Sequence, residues 1–262
     1  MPPAAILLRY ALVLLSGLVV AGYAQDRTAD IEVGIVHVND IYQIAPVDAK
    51  APRGGLARLS GLVETLRREH PGTLFVFGGD TLSPGVESGL FKGAQMMRAW
   101  NAMRLDFAVP GNHEFDFGPE VARERFTESR FPWLAANIEA EPPLPMLRAS
   151  ALREVGGVRI GFLGLITPDT VTLSKPDPGI RFTGLLVAAR REAAALRAQG
   201  AAAVVALTHN NLAEDRESAA RREAEEDREP SHHMPTFHFS AEIQIDTEDL
   251  KPLKAFLFWP NL

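Results

Sequence analysis

Cysteine is absent from all 262 residues, which excludes thiolate metal ligands, a cysteine nucleophile and any disulfide framework. A positive surplus is missing too. Lys and Arg number 27 against 33 Asp and Glu, and the net charge of −6 gives no general pull toward nucleic acid or anionic membranes. An anionic ligand would therefore need a local positive centre. Long apolar runs are scarce, and no internal repeat is visible. The most conspicuous run, Tyr10 to Val20, is shorter than the roughly 20 residues that span a bilayer.

That run has the layout of an export signal. The amino terminus and Arg9 supply a positive start, and Ala21-Gly22-Tyr23-Ala24 places small residues where cleavage after Ala24 would need them. The expectation is a signal over residues 1–24, export (most simply to a bacterial periplasm) and no stable membrane association after cleavage. An uncleaved anchor is the alternative.

What is present suits a folded domain, with 46% hydrophobic and 23% charged residues. Strand and helix patterns alternate after the signal. Ile31 to Val38 reads as a strand ending in Asn39-Asp40, and Leu56, Leu59, Leu62, Val63 and Leu66 recur at helical spacing. Leu74 to Phe77 is a short buried-strand run that leads to Asp80. Phe91, Ala94, Met97 and Trp100 suggest a second helix, and Phe107 to Val109 a strand leading to Asn112 and His113. Trp133 to Ile138 predicts a further strand. Leu152 to Val155 and Val158 to Ile166 flank the hairpin signal Gly156-Gly157. Leu185 to Leu196 predicts an alanine-rich helix, and Ala202 to Leu207 a strand that runs into Thr208-His209. Such repeats imply an α/β layered domain with its functional loops at the strand ends.

The pattern breaks near Leu212. Twelve of the sixteen residues from Glu214 to Glu229 are charged, which reads as a solvated helix or an unstructured run. Beyond it, a weak strand signal covers Glu242 to Ile245, and the apolar run Phe256 to Trp259 has no evident partner. The expected organisation is a domain over residues 25–215 followed by a divergent tail over 216–262.

The chemistry concentrates in two glycine-rich turns, FVFGGD (Phe75 to Asp80) and GNHEFD (Gly111 to Asp116). Hard divalent cations take oxygen and nitrogen donors, which is what these loops carry. Hydrolysis of a phosphate ester needs an activated nucleophile and stabilised phosphoryl oxygens. Two cations about 3.5–4 Å apart can supply both. Asp40, Asp80, Asn112 and His209 offer carboxylate, amide and imidazole donors from four strand ends. His113 can contact the phosphate or protonate the leaving oxygen, with Asp116 orienting its imidazole. Each residue alone has a plainer reading: turn chemistry for Asp40, a helix cap for Asp80, a structural histidine for His209. The ordered set is what points to a site.

The segments HVND (His37 to Asp40), GGLAR (Gly54 to Arg58), GGD (Gly78 to Asp80), GNHEFD and THNNLAED (Thr208 to Asp215) resemble the calcineurin-like metallophosphoesterases, and within them the exported 5'-nucleotidase branch. The resemblance implies a four-layer αββα sandwich holding two divalent metal ions (Mn, Zn, Co or Mg). It implies hydrolysis of phosphomonoesters, 5'-nucleotides foremost; no nucleic-acid partner is expected from the acidic balance. By position, Asp40 would be a terminal ligand of the first metal and Asp80 the bridge. Asn112 and His209 would bind the second metal, and His113 with Asp116 would form the catalytic dyad.

Two departures stand out. Where the family carries a histidine ligand, two positions after the first Asp, this chain has Tyr42, which ligates only as a phenolate and is otherwise a pocket wall. After His209 the family's Gly-Gly-His strand is missing. His232 and His233, beside Pro230 and Pro235, read as loop histidines or as substitute ligands, and His238 is a weaker candidate still. The sandwich is thus expected to be incomplete on its C-terminal side, with one sheet edge left open. The alternative to an active enzyme is a catalytically impaired member that binds metal or phosphate without turnover. A sulfate-ester or thiosulfate hydrolase on the same scaffold is the third reading.

Overall fold

In the strand EVGIVHV the side chains divide between two cores: Val33 and Ile35 join one apolar cluster, Val36 and Val38 another. A strand buried on both faces needs a covering layer on each side, and the rest of the chain supplies both. The computed structural model describes residues 32–46, 54–211, 237–239, 243–247 and 254–258. The expected export signal, and His232 and His233, lie outside the described residues.

In chain order the elements are β1 (Glu32–Val38), α1 (Leu56–Glu69), β2 (Leu74–Phe77), α2 (Val86–Phe91), α3 (Ala94–Ala102) and β3 (Phe107–Ala108). A 3-10 turn at Asn112–Phe115 precedes α4 (Pro119–Glu128), β4 (Trp133–Leu134), β5 (Ile138–Ala140), β6 (Leu147–Arg148), β7 (Ser150–Val155) and β8 (Val158–Ile166). Then come α5 (Thr170–Leu173), β9 (Ile180–Phe182), α6 (Leu185–Ala198) and β10 (Ala203–His209). The described strands end with β11 (Phe237–Phe239), β12 (Ile243–Thr247) and β13 (Lys254–Phe258).

A six-stranded sheet runs β13-β1-β2-β3-β4-β6 with every pair parallel, and a five-stranded mixed sheet runs β11-β12-β10-β8-β7. Between them lie Val33, Ile35, Leu74, Val76, Phe107 and Val109 from the first sheet, against Ile160, Phe162, Val205 and Leu207 from the second. Phe107 and Phe162 meet there with ring centroids 4.9 Å apart. The far face of the first sheet packs Phe75 and Phe77 on the apolar stripes of α1, α3 and α4, through Leu59, Val63, Met97, Trp100 and Phe126. The far face of the second packs Leu163, Leu165 and Val204 against Ala188 and Leu196 of α6. These are four layers, αββα, as the resemblance implies.

The helix expected around Phe91 to Trp100 is two helices. Lys92 (φ 50°) and Gly93 (φ 80°) turn left-handed between α2 and α3, and position 93 has to be glycine, since a Cβ there would sit 2.3 Å from the Leu82 side chain. The strand expected over Trp133 to Ile138 is also divided. Trp133–Leu134 stays in the parallel sheet, whereas Ile138–Ala140 pairs with β9 in a separate two-stranded ribbon. Asn137 makes the crossing between them: its amide accepts from the Ile166 N–H (3.0 Å) and donates to the Ile166 carbonyl (2.8 Å). The Gly156-Gly157 hairpin forms as the sequence predicts, closing on the pair Val155 and Val158.

Beyond the charged run, β12 lies antiparallel to β10 and β13 parallel to β1. The sheet edge expected to stand open beside β10 is therefore taken, and the apolar run that begins at Phe256 finds its partner in β1. Among the described residues no helix is long and apolar enough to cross a membrane.

Candidate active site

Three parallel strands, β1, β2 and β3, end at one rim of the sandwich, and β10 brings His209 to it as its last residue. Asp40 follows β1, Asp80 follows β2, and Asn112 opens the 3-10 turn after β3. Both aspartates hold left-handed backbone, φ 55° for Asp40 and φ 69° for Asp80. Outside glycine this region is sparsely used and costs on the order of 1 kcal/mol, and it gathers at functional loops. Here it is held by cross-links. Gly78 N–H donates to the Val38 carbonyl (2.8 Å) and Asp40 N–H to the Gly79 carbonyl (3.0 Å).

The loops approach so closely that two glycines are obligatory. A Cβ on Gly79 would stand 2.7 Å from Gly111 N and from His209 Nδ1, and one on Gly111 would stand 2.0 Å from Asp80 Oδ1. Glu114, buried beneath them, clamps the loops from below. Its carboxylate accepts the N–H groups of Asp80 (2.9 Å), Thr81 (2.7 Å) and Gly111 (2.5 Å). Burial, and then the nearby Asp80 charge, push its pKa up to about 7 against the pull of those N–H donors.

Around Asp80 two imidazoles converge. His209 Nε2 is 3.2 Å from Asp80 Oδ2 and His113 Nε2 is 3.9 Å from the same oxygen, while Asp80 Oδ1 accepts the His113 N–H at 2.9 Å. His209 Nδ1 lies 2.7 Å from the Gly78 carbonyl. A carbonyl only accepts, so Nδ1 carries hydrogen and Nε2 is the nitrogen presented to the site. Burial works against the charged ring, but the hydrogen bond and charge of Asp80 outweigh it and raise His209 to about 9. Deeper in β1, burial and then the charge of His209 lower His37 to about 4.

His113 Nδ1 meets Asp116 Oδ2 at 2.5 Å. Asp116 also accepts the Ser174 hydroxyl on Oδ1 (2.6 Å) and the Ser83 hydroxyl on Oδ2. Burial opposes both charges, yet these hydrogen bonds hold Asp116 below its ordinary range, and Asp116 with Asp80 holds His113 above its own. Tyr42 packs its ring edge-on to His113, with centroids 5.9 Å apart, and donates its hydroxyl to Asp40 Oδ1 at 2.7 Å. Burial, then that bond to Asp40, drive the phenol pKa upward. Tyr42 thus donates a hydrogen bond to Asp40 and lies against the His113 ring.

The structure brings together Asp80, His113, Asp116 and His209, with Asp40 one backbone hydrogen bond away and Asn112 next to His113. The set is carboxylate, imidazole and amide, which suits divalent Mn, Zn, Co or Mg. Asp80 and His209 approach closely enough to share a cation once His209 Nε2 gives up its proton. Among the described residues, no three His, Asp or Glu side chains cluster closely enough to hold one unaided. The side chains fit one cation position with an open shell. Sequence reasoning missed Glu114, Ser83 and Ser174. Glu114 was within reach, as a Glu three residues beyond Gly111 is a capping signal; Ser174, in a loop 58 residues from Asp116, carried none.

A rim of strand-end carboxylates and imidazoles on a four-layer sandwich defines a metal-dependent phosphoesterase scaffold. The chain belongs to the calcineurin-like phosphoesterase family, which it matches over residues 33–233. It is 30% identical over 200 residues to human 5'-nucleotidase (71% of this chain, 35% of the relative) and 32% identical over 197 residues to a probable 5'-nucleotidase of Treponema pallidum (70% and 33%). A 5'-nucleotidase precursor from Thermus thermophilus superposes with a TM-score of 0.67 at 30% identity, covering 71% of this chain and 38% of that one. The chain spans about a third of the length of these curated relatives.

Proposed function

We propose that this chain hydrolyses phosphomonoesters, 5'-nucleotides foremost, in a metal-dependent reaction. The observation that carries this reading is the convergence of His209 Nε2 and His113 Nε2 on one Asp80 oxygen, with His113 backed by Asp116. Asp80, Asn112 and His209 would hold one divalent cation, with Asp40 beside it as the carboxylate that a second would need. Bound there, the metal would supply a nucleophilic water at neutral pH and positive charge for the phosphoryl oxygens. The chain's own residues do the rest. Asp80 and Glu114 fix the loops, His113 holds a proton at Nε2 beside the phosphate position, and it can pass that proton to the leaving oxygen as the P–O bond breaks. Asp116 keeps the ring oriented and its Nδ1 protonated.

The apolar run before Ala24 supports export of the protein, and one structural relative is itself described as a precursor. Residues 25–215 would form the bulk of the phosphoesterase domain, with β12 and β13 added to its two sheets.

The test is hydrolysis of AMP and p-nitrophenyl phosphate by purified protein with added Mn²⁺, Zn²⁺, Co²⁺ or Mg²⁺, beside Asn112→Ala and His113→Ala. Turnover abolished in both variants is expected; no turnover above them sinks the proposal. Sulfate esters run in parallel separate phosphate from sulfate specificity. A second reading, metal or phosphate binding without turnover, is favoured by the open donor shell and by Tyr42 donating to Asp40. Elemental analysis finding two tightly held metals per chain would count against it.

A further inference from the structure

Asp116 is the meeting point of three separate segments. It closes the 3-10 turn after β3, Ser83 comes from the loop after β2, and Ser174 follows α5 in the loop after β8. A carboxylate bonded to an imidazole through one oxygen still turns about its last torsion, which is broad and soft. In this site both oxygens are engaged. Oδ2 receives His113 Nδ1 and the Ser83 hydroxyl, and Oδ1 receives the Ser174 hydroxyl at 2.6 Å. Ser83 is buried and Asp116 half-buried, so water competes weakly for these bonds.

The Ser174 loop is tied to the metal side as well. Thr167 N–H donates to the His209 carbonyl at 2.9 Å, and Ser174 N–H to the Thr170 carbonyl at 3.0 Å. The end of β10 and the carboxylate behind His113 thus share one short loop.

The geometry points to Ser83 and Ser174 as positioning residues that lock the plane of the Asp116 carboxylate and so aim His113 Nε2 at the leaving-group oxygen. This rests on the phosphoesterase reading, in which His113 is the proton donor. Hydroxyl donors suit the task, because they fix an anion without bringing a cation that would compete with the imidazole.

A well-oriented acid matters most where the leaving oxygen needs a proton. AMP has such a leaving group, whereas p-nitrophenolate departs without one. The experiment compares Ser83→Ala, Ser174→Ala, the double variant and Ser174→Thr on both esters with Mn²⁺. In parallel, proton NMR of the metal-free protein follows the low-field Nδ1 resonance of His113, assigned by its loss in His113→Ala. Each Ser→Ala change is expected to lower AMP turnover roughly tenfold and p-nitrophenyl phosphate turnover much less, with Ser174→Thr restoring the AMP rate. The double variant is expected to shift or broaden the Nδ1 resonance. An equal fall on both esters, or no fall with an unmoved resonance, overturns the inference. If the unmodified protein hydrolyses neither ester, the phosphoesterase reading fails by itself and the NMR comparison alone decides the positioning. If Ser83→Ala does not fold, Ser174→Ala and its threonine counterpart carry the whole comparison.

Discussion

Gly111 and Asp80 touch so closely that a single methyl group on Gly111 would stand 2.0 Å from Asp80 Oδ1. Since that oxygen also accepts the His113 N–H at 2.9 Å, a displaced Asp80 carboxylate disturbs the GNH turn with it. Gly111→Ala is expected to destabilise the fold by about 1–3 kcal/mol, the usual range for overpacking. It should lower hydrolytic turnover by about a hundredfold, the effect of an ångström-scale misplacement. Urea unfolding and steady-state rates on the same preparation check both. A variant of full activity would show that the loops part more easily than this contact implies.

Glu114 offers a second probe of the same loops. Its two oxygens serve the N–H groups of Asp80, Thr81 and Gly111, and Glu114→Gln would turn one oxygen into an N–H donor facing other donors. The loss of a buried acceptor is expected to cost about 1–3 kcal/mol. Slower amide exchange in the native protein at Thr81 and Gly111, lost in the variant, would locate the effect.

His37 sets an acid limit. Its native pKa of about 4 lies below the model-peptide value of 6.5, so the folded state holds the ring neutral while the unfolded chain takes up a proton below pH 6.5. The His37 contribution to stability therefore falls as pH drops from 6.5 toward 4, by about 3 kcal/mol over the window. Glu114, raised to about 7, works in the opposite sense across much of that range, being protonated in the native state before it is in the unfolded one. The readout is accordingly a difference. Between pH 7 and pH 4 the unmodified protein should lose about 3 kcal/mol more than His37→Gln, measured by urea denaturation. Parallel pH profiles for the two would contradict the assignment.

The inter-sheet core gives the plainest stability prediction. Phe162 is fully buried and packs on Phe107 at 4.9 Å. Phe162→Ala should cost about 3–5 kcal/mol, whereas Val187→Ala on the exposed side of α6 should change stability by no more than about 0.5 kcal/mol. Paired thermal melts test the contrast.

Much of this was legible in the residues. Apolar runs marked β1, β2 and β8, and helical spacing marked α1 and α6, because each of these segments buries its apolar residues, and the four candidate ligands sit at the strand ends where the pattern placed them. The split between α2 and α3 was not legible, since it rests on left-handed backbone at Lys92 and Gly93, which leaves the apolar spacing of Phe91 to Trp100 looking continuous. Nor was the division of Trp133 to Ile138, which depends on Asn137 finding the Ile166 backbone 29 residues on. The pairing of β13 with β1 was hidden for a similar reason: Lys254 lines up with Glu32, and sequence periodicity carries no information about partners so far apart. Ser174 belongs to the same class. Its neighbours predict a loop and nothing of the carboxylate it reaches.

Asp40 and Asp80 both sit where glycine or asparagine would rest more comfortably. A library of variants sorted for thermal endurance alone would be expected to drift toward Gly or Asn at these two positions, gaining heat resistance while losing the carboxylates at the rim. The same library sorted for phosphate release should keep both aspartates and recover its robustness elsewhere in the chain.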